Sequence, residues 1–141
     1  MTQSDGLEEK GKFTTSQIGE LKQLSSSMPT GSSKRCLVTV IRSGQVYEIV
    51  NKTGFTIGRI SASQMILPDI DLSDQDAYGQ GVSRLHAQIK ITNDHLYIMD
   101  LGSSNGTRVN GQKISPHIEY PIENDDIVAL GKLQLQIITS R

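Results

Sequence analysis

Leu133-Gln134-Leu135-Gln136-Ile137 alternates apolar and polar side chains without a break. Successive residues of a strand point to opposite faces, so this stretch reads as a strand with one buried and one wetted face. The run continues to residue 139, and upstream lie further short β-branched stretches at 36–41, 46–50, 55–57, 87–91, 96–99 and 127–130. Between them stand turn-forming residues: Ser43-Gly44, Lys52-Thr53-Gly54, Thr92-Asn93-Asp94, Asn110-Gly111, Asn124-Asp125-Asp126 and Gly131-Lys132. Short strands punctuated in this way predict an all-β sandwich. No stretch of this region carries a helical period, which argues against an α/β architecture.

The chain has 141 residues, room for one domain and a tail. Its apolar fraction of 35% is below the roughly 45–50% of a globular domain counted with glycine, so part of it is expected outside a core. Residues 1–34, rich in Ser, Thr, Gln, Lys and Glu, read as a flexible N-terminal tail, and residues 35–141 as the domain. Within the tail, Ile18, Leu21 and Leu24 recur every third position and suggest a marginal turn or two of helix, and 25–33 reads as a linker. Lys plus Arg total 14 against 15 Asp plus Glu, a net charge of −1 that lacks the basic stripe of a nucleic-acid binder. Neither nucleic acid nor an anionic membrane is an expected partner. The single Cys36 has no internal disulfide partner, and the polar start lacks a hydrophobic signal segment, so the expected location is the cytoplasm.

The connection from Arg59 to Ser83 is long, shows no periodicity after Leu72, and is the expected functional loop. Three constellations there and beyond carry chemistry. Ser83 with His86, and Asp100 as an orienting acid, is the nearest approach to a hydrolase triad. It lacks a Gly-x-Ser-x-Gly elbow and the helix that follows one, so catalysis is not expected. Asp69, Asp71, Asp74 and Asp76 invite a calcium reading, yet Leu85 falls where the loop template needs a bidentate Glu, leaving a solvated acidic loop. The third is Gly58-Arg59, then Ser83-Arg84-Leu85-His86, then Gly102-Ser103-Ser104-Asn105-Gly106-Thr107, then Asn110-Gly111. Together they offer two guanidiniums, several hydroxyls and an amide on strand ends and loops, a donor set suited to a phosphate dianion.

That ordered set, Gly-Arg, Ser-Arg-x-His and Asp-Leu-Gly-Ser-Ser-Asn-Gly-Thr-x-Val-Asn-Gly, resembles the forkhead-associated (FHA) domain across residues 35–141. The resemblance implies an eleven-stranded β-sandwich whose loops bind phosphothreonine peptides without catalysis or a cofactor. By position, it implies that Arg59 contacts phosphate or peptide backbone, that the Ser83 hydroxyl donates to phosphate, and that Arg84 adds a contact. Asn105 would hydrogen-bond the peptide main chain, with Ser104 beside it. Gly58, His86, Gly106 and Asn110 would shape the loops, His86 as a neutral brace. The sequence departs from the family in one place: the stretch between Arg59 and Ser83 is about ten residues longer than the family spacing, with 73–81 the excess, and Arg108 is a basic rim candidate.

The expected function is therefore a phosphothreonine-peptide-binding adaptor in Ser/Thr-kinase-dependent recognition, bacterial in style. A protein-interaction module that uses the sandwich without phosphate dependence stays open beside it. In the tail, Thr15 places Ile18 three residues on and Thr14 adjoins it; Thr2 with Asp5 repeats the offset. A linker of roughly twenty residues reaches on the order of 25 Å as a coil, so a phosphorylated Thr15 could dock on its own domain, self-association through the tail.

Overall fold

The computed structural model describes residues 35–93 and 95–140. Residues 1–34, with Thr2, Thr14, Thr15 and the helical turn expected around Ile18, Leu21 and Leu24, lie outside the described residues. In chain order the strands are β1 (Arg35–Val40), β2 (Val46–Val50), β3 (Gly54–Gly58), β4 (Ile70–Asp71), β5 (Leu85–Thr92) and β6 (His95–Asp100). There follow β7 (Thr107–Val109), β8 (Gln112–Lys113), β9 (Tyr120–Ile122), β10 (Ile127–Leu130) and β11 (Leu133–Ser140). They form a six-stranded sheet, β2-β1-β11-β10-β7-β8, and a five-stranded sheet, β4-β3-β5-β6-β9. This is the all-β sandwich that the strand pattern predicts, and the eleven strands among the described residues are the number the resemblance implies.

Alternation decides what lies between the sheets. Leu133, Leu135 and Ile137 of β11 are fully buried, as are Cys36, Val38 and Val40 of β1 and Ile89 and Ile98 of β5 and β6, all in one apolar cluster. Each such side chain contributes about 1.5–3 kcal/mol by leaving water. Burial also pushes the Cys36 thiol up to about 11, which keeps it an inert core residue.

Four strands lie outside the alternating stretches: β4, β7, β8 and β9. Two or three residues are too few to show a period, and β9 contains Pro121, which an edge strand tolerates because one side of its backbone has no ladder to complete. Asn110 and Gly111, both at positive φ (49° and 88°), form the two-residue turn joining β7 to β8.

The connection from Arg59 to Ser83 differs from the unpatterned loop expected. β4 pairs in parallel with β3 through Ile57↔Ile70 and Gly58↔Asp71, and Ser73–Gln75 form a single 3-10 turn. Pro68, Ile70, Leu72, Ala77 and Val82 are buried. These anchors obey no local period because each meets the core separately, so the segment is pinned to the domain at irregular intervals.

Register gathers the loops. Gly58 pairs with Leu85, Ala87 with Asp100, and Thr107 with Leu130. The C-terminal ends of β3, β6 and β10 and the N-terminal ends of β5 and β7 therefore share one end of the sandwich, which displays residues 59–84, 101–106 and 131–132.

Candidate functional site

Gly58 makes the first approach possible. A Cβ there would lie 1.9 Å from the Arg84 carbonyl oxygen, so any other residue collides with backbone. A bulge between Ile57 and Gly58 turns the chain toward the site. Beyond it the Arg59 amide donates to the Arg84 carbonyl (3.1 Å), and Nε of its half-buried side chain donates to the Val82 carbonyl (2.7 Å). The Tyr78 ring lies against its guanidinium, 4.9 Å from Cζ to ring centroid.

Two buried polar side chains brace the neighbouring loops. His86 accepts the Ser83 amide at Nδ1 (2.9 Å), leaving Nε2 to donate to the Gly106 carbonyl (2.9 Å). Burial holds this imidazole below its ordinary 6.5, against the opposing pull of the Gly106 hydrogen bond and the Asp100 charge. Asp100 accepts from the Gly102 and Ser103 amides at Oδ2 (both 3.0 Å) and from the Ser103 (2.5 Å) and Thr107 (2.6 Å) hydroxyls at Oδ1. Burial pushes its carboxyl up, but these four hydrogen bonds, led by Ser103 and Thr107, outweigh it and hold the group ionised below the usual carboxylate range.

The His86 shift sets a pH dependence. A histidine whose folded pKa is depressed binds its proton more readily in the unfolded chain, so its contribution is fully present above the unfolded value of 6.5 and drains as pH falls below it. Protonation at Nδ1 also deprives the Ser83 amide of its acceptor. Melting temperature is expected to fall as pH drops from 7 toward 5, with the His86 ring of the folded protein titrating below 6.5 by NMR. A His86 that titrates at or above 6.5 in the folded protein would contradict this.

Ser83 Oγ accepts the Ser104 amide (3.1 Å), which ties the two loops and leaves its hydroxyl proton to donate outward. Asn105, exposed, gives one Nδ2 proton to the Gly81 carbonyl (3.0 Å), leaving Oδ1 and its second amide proton uncommitted by that bond. Through Val82, Ser83 and Gly81 the structure brings Arg59, Ser83, Ser104 and Asn105 together. Arg84 is exposed beside them and lines a cavity of about 320 Å³ with Ser63, Gln64, Met65, Ile66 and Leu85. A second cavity of about 400 Å³ adjoins Asn105, with Arg108 and Lys132 on its walls and Gln80 and Gly131 among its lining residues. Gly131, at φ +61°, donates to the Gly106 carbonyl (3.0 Å), and a Cβ on it would lie 2.6 Å from the Gln80 carbonyl oxygen. Three separate loops are thus wired to one another through backbone groups, and the arrangement offers a phosphate cations and neutral donors together.

Both His86 nitrogens are committed to backbone groups, so the ring is not placed to take a proton from Ser83 Oγ. Three of the four carboxylates of the acidic loop turn to separate partners: Asp69 to Lys52 and Thr56, Asp71 to Ser73, Asp76 to Gln80. Among the described residues no three metal-ligating side chains gather. Asn110 stands apart from the other residues expected to shape the loops. It binds Asp126 and Ile127 at the end of β7 away from Gly106, so it fastens a distant hairpin. Tyr78 lies in the 73–81 excess, where sequence reasoning assigns it no role; the signal available was the one aromatic residue of that stretch.

Comparison with known proteins follows the same lines. The FHA domain family model matches residues 55–131. Protein FraH of Nostoc sp. is 42% identical over 67 residues, covering 48% of this chain and 23% of that protein. The chain spans less than half the length of the curated relatives it matches first. The crystal structure of the FHA domain of the CT664 protein from Chlamydia trachomatis superposes with a TM-score of 0.59 at 32% identity, over 76% of this chain and 99% of that one. Mycobacterium tuberculosis EmbR in complex with a low-affinity phosphopeptide matches with a TM-score of 0.58 at 26% identity, over 74% of this chain and 24% of that one.

Proposed function

The chain belongs to the FHA domain family, and on that premise we propose that it is a phosphothreonine-peptide-binding adaptor in Ser/Thr-kinase-dependent recognition, acting without catalysis. The convergence of Arg59, Ser83 and Asn105 on one loop cluster carries this reading. A phosphothreonine brings about −1.5 to −2 charges and three acceptor oxygens. The Arg59 Nη donors and the Ser83 hydroxyl meet the phosphate, Arg84 adds charge at its edge, and Asn105 holds the peptide main chain. Ser104 spaces these groups, while Gly58, Gly106 and His86 fix the loops that carry them. Each charge-assisted hydrogen bond contributes about 1.5–3 kcal/mol. The EmbR complex supports a phosphopeptide as ligand for this fold. Among the described residues no helix is long and apolar enough to cross a membrane, and we place the adaptor in the cytoplasm, where kinases supply the modified threonine.

The test is a titration of the whole chain with an oriented phosphothreonine peptide library, unphosphorylated and phosphoserine peptides serving as controls. Arg59→Ala is expected to weaken the best peptide at least tenfold, the loss of about 1.5–3 kcal/mol of charged hydrogen bonding. Equal binding by the Arg59→Ala variant, or equal binding of the unphosphorylated peptide, would move recognition to another face of the sandwich.

A further inference from the structure

The segment 73–81 does more than lengthen a connection, because it delivers an aromatic ring to the central cation of the site. Ala77 is fully buried and anchors the segment. Backbone hydrogen bonds from Gln80 to Asp76, Gly81 to Tyr78 and Val82 to Ala77 then fold it into consecutive turns. With Ala77 facing inward, its neighbour Tyr78 faces out and keeps 80% of its surface exposed. A tyrosine so exposed gains little from burial, yet its ring rests on the Arg59 guanidinium.

The effect on Arg59 follows from its donor inventory. A guanidinium carries five N–H protons in a rigid plane. One, on Nε, is spent on the Val82 carbonyl. That bond alone lets the plane swing about it; the tyrosine ring covers one face and removes the swing. Four protons remain, on the two Nη atoms, turned to the end-on edge that grips two oxygens of a tetrahedral anion. Both restraints come from one stretch of chain, Tyr78 and Val82 lying four residues apart.

We propose that Tyr78 is a positioning residue for phosphate capture: its ring pre-orders the Arg59 guanidinium, so that the ligand meets a fixed end-on fork instead of a mobile arginine. The inference rests on the phosphopeptide reading given above. It makes the inserted segment part of the binding apparatus, working through Arg59 without touching phosphate itself.

Two measurements test it on the whole chain. In the free protein, the ¹⁵N order parameter of Arg59 Nε–H is expected to drop in Tyr78→Ala and to be restored in Tyr78→Phe, which keeps the ring. In calorimetric titrations with the best library phosphothreonine peptide, Tyr78→Ala is expected to lose roughly two- to fivefold in affinity, the range of an exposed cation–π contact. Tyr78→Phe should bind as the parent does. Because the side chain is exposed, melting temperature serves as the folding control and should stay within a degree or two in both variants. If the parent and Arg59→Ala bind the peptide equally, the phosphopeptide reading falls and this inference falls with it. If Arg59→Ala loses binding while Tyr78→Ala retains full affinity and an ordered Arg59 Nε–H, the inference alone is overturned. A Phe variant as weak as the Ala variant also overturns it, because the hydroxyl would then be the active group.

Discussion

Alanine at Gly58 is expected to cost about 3–5 kcal/mol, at the top of the range for single substitutions, although it adds only one methyl group. The methyl would sit 1.9 Å from the Arg84 carbonyl oxygen and 2.7 Å from its carbonyl carbon. Neither atom can swing aside. The same carbonyl accepts the Arg59 amide, and Leu85 next to it is already laddered to Gly58. Relief requires β3 and β5 to part at their paired ends. For a domain of this size each kcal/mol shifts the melting temperature by about 4–8 °C, so a fall of about 12–40 °C should appear in a thermal melt. A fall of only a few degrees would show that the β3 end yields, and would remove Gly58 from the residues that fix Arg59.

Asp100→Ala has an effect of similar size for a different reason. Its carboxylate serves the Gly102 and Ser103 amides and the Ser103 and Thr107 hydroxyls, and the fully buried Thr107 has no route to water. Each donor stranded inside costs roughly 1–3 kcal/mol, and partial relaxation of the 101–106 loop brings the expected total to about 3–5 kcal/mol. The loop that carries Ser104 and Asn105 loosens with it, so phosphopeptide affinity should fall even where the protein stays folded. Urea denaturation should show a lower midpoint with an unchanged slope. Asp100→Asn retains one acceptor oxygen but turns an amide toward donors, and should fall between parent and alanine. An alanine variant as stable as the parent would mean that water replaces the carboxylate without loss.

The two sheets were legible in the sequence wherever a strand was long enough to alternate, as in Leu133–Gln134–Leu135–Gln136–Ile137. β4 was not, since Ile70 and Asp71 become a strand only through β3, twelve or more residues upstream. The candidate site divides in the same way. Arg59, Ser83 and Asn105 could be named because they sit in short, ordered motifs beside turn residues. Asn110 belongs to the same motif run, yet the direction of β7 carries it away from the loops, and a motif does not reveal which way its strand travels. Tyr78 could not be assigned because its partner, Arg59, is distant along the chain. Only the burial of Ala77 and the folded turns after it bring the ring to the cation.

The placement of β11 also governs how the protein comes to be made. This last strand fills the gap between β1 and β10, pairing Arg35 with Ser140 on one flank and Leu133 with Leu130 on the other. During synthesis the six-stranded sheet therefore stays divided until its final segment leaves the ribosome, with the apolar inner faces of β1 and β10 uncovered meanwhile. Pairing of chain segments so far apart places folding in the slow regime of milliseconds to seconds typical of β-sandwiches. The nascent chain is most vulnerable to aggregation, and most in need of chaperones, in that interval. The stretch 55–131 that identifies the family omits β1, β2 and β11, so a fragment cut to those limits would lack half of one sheet.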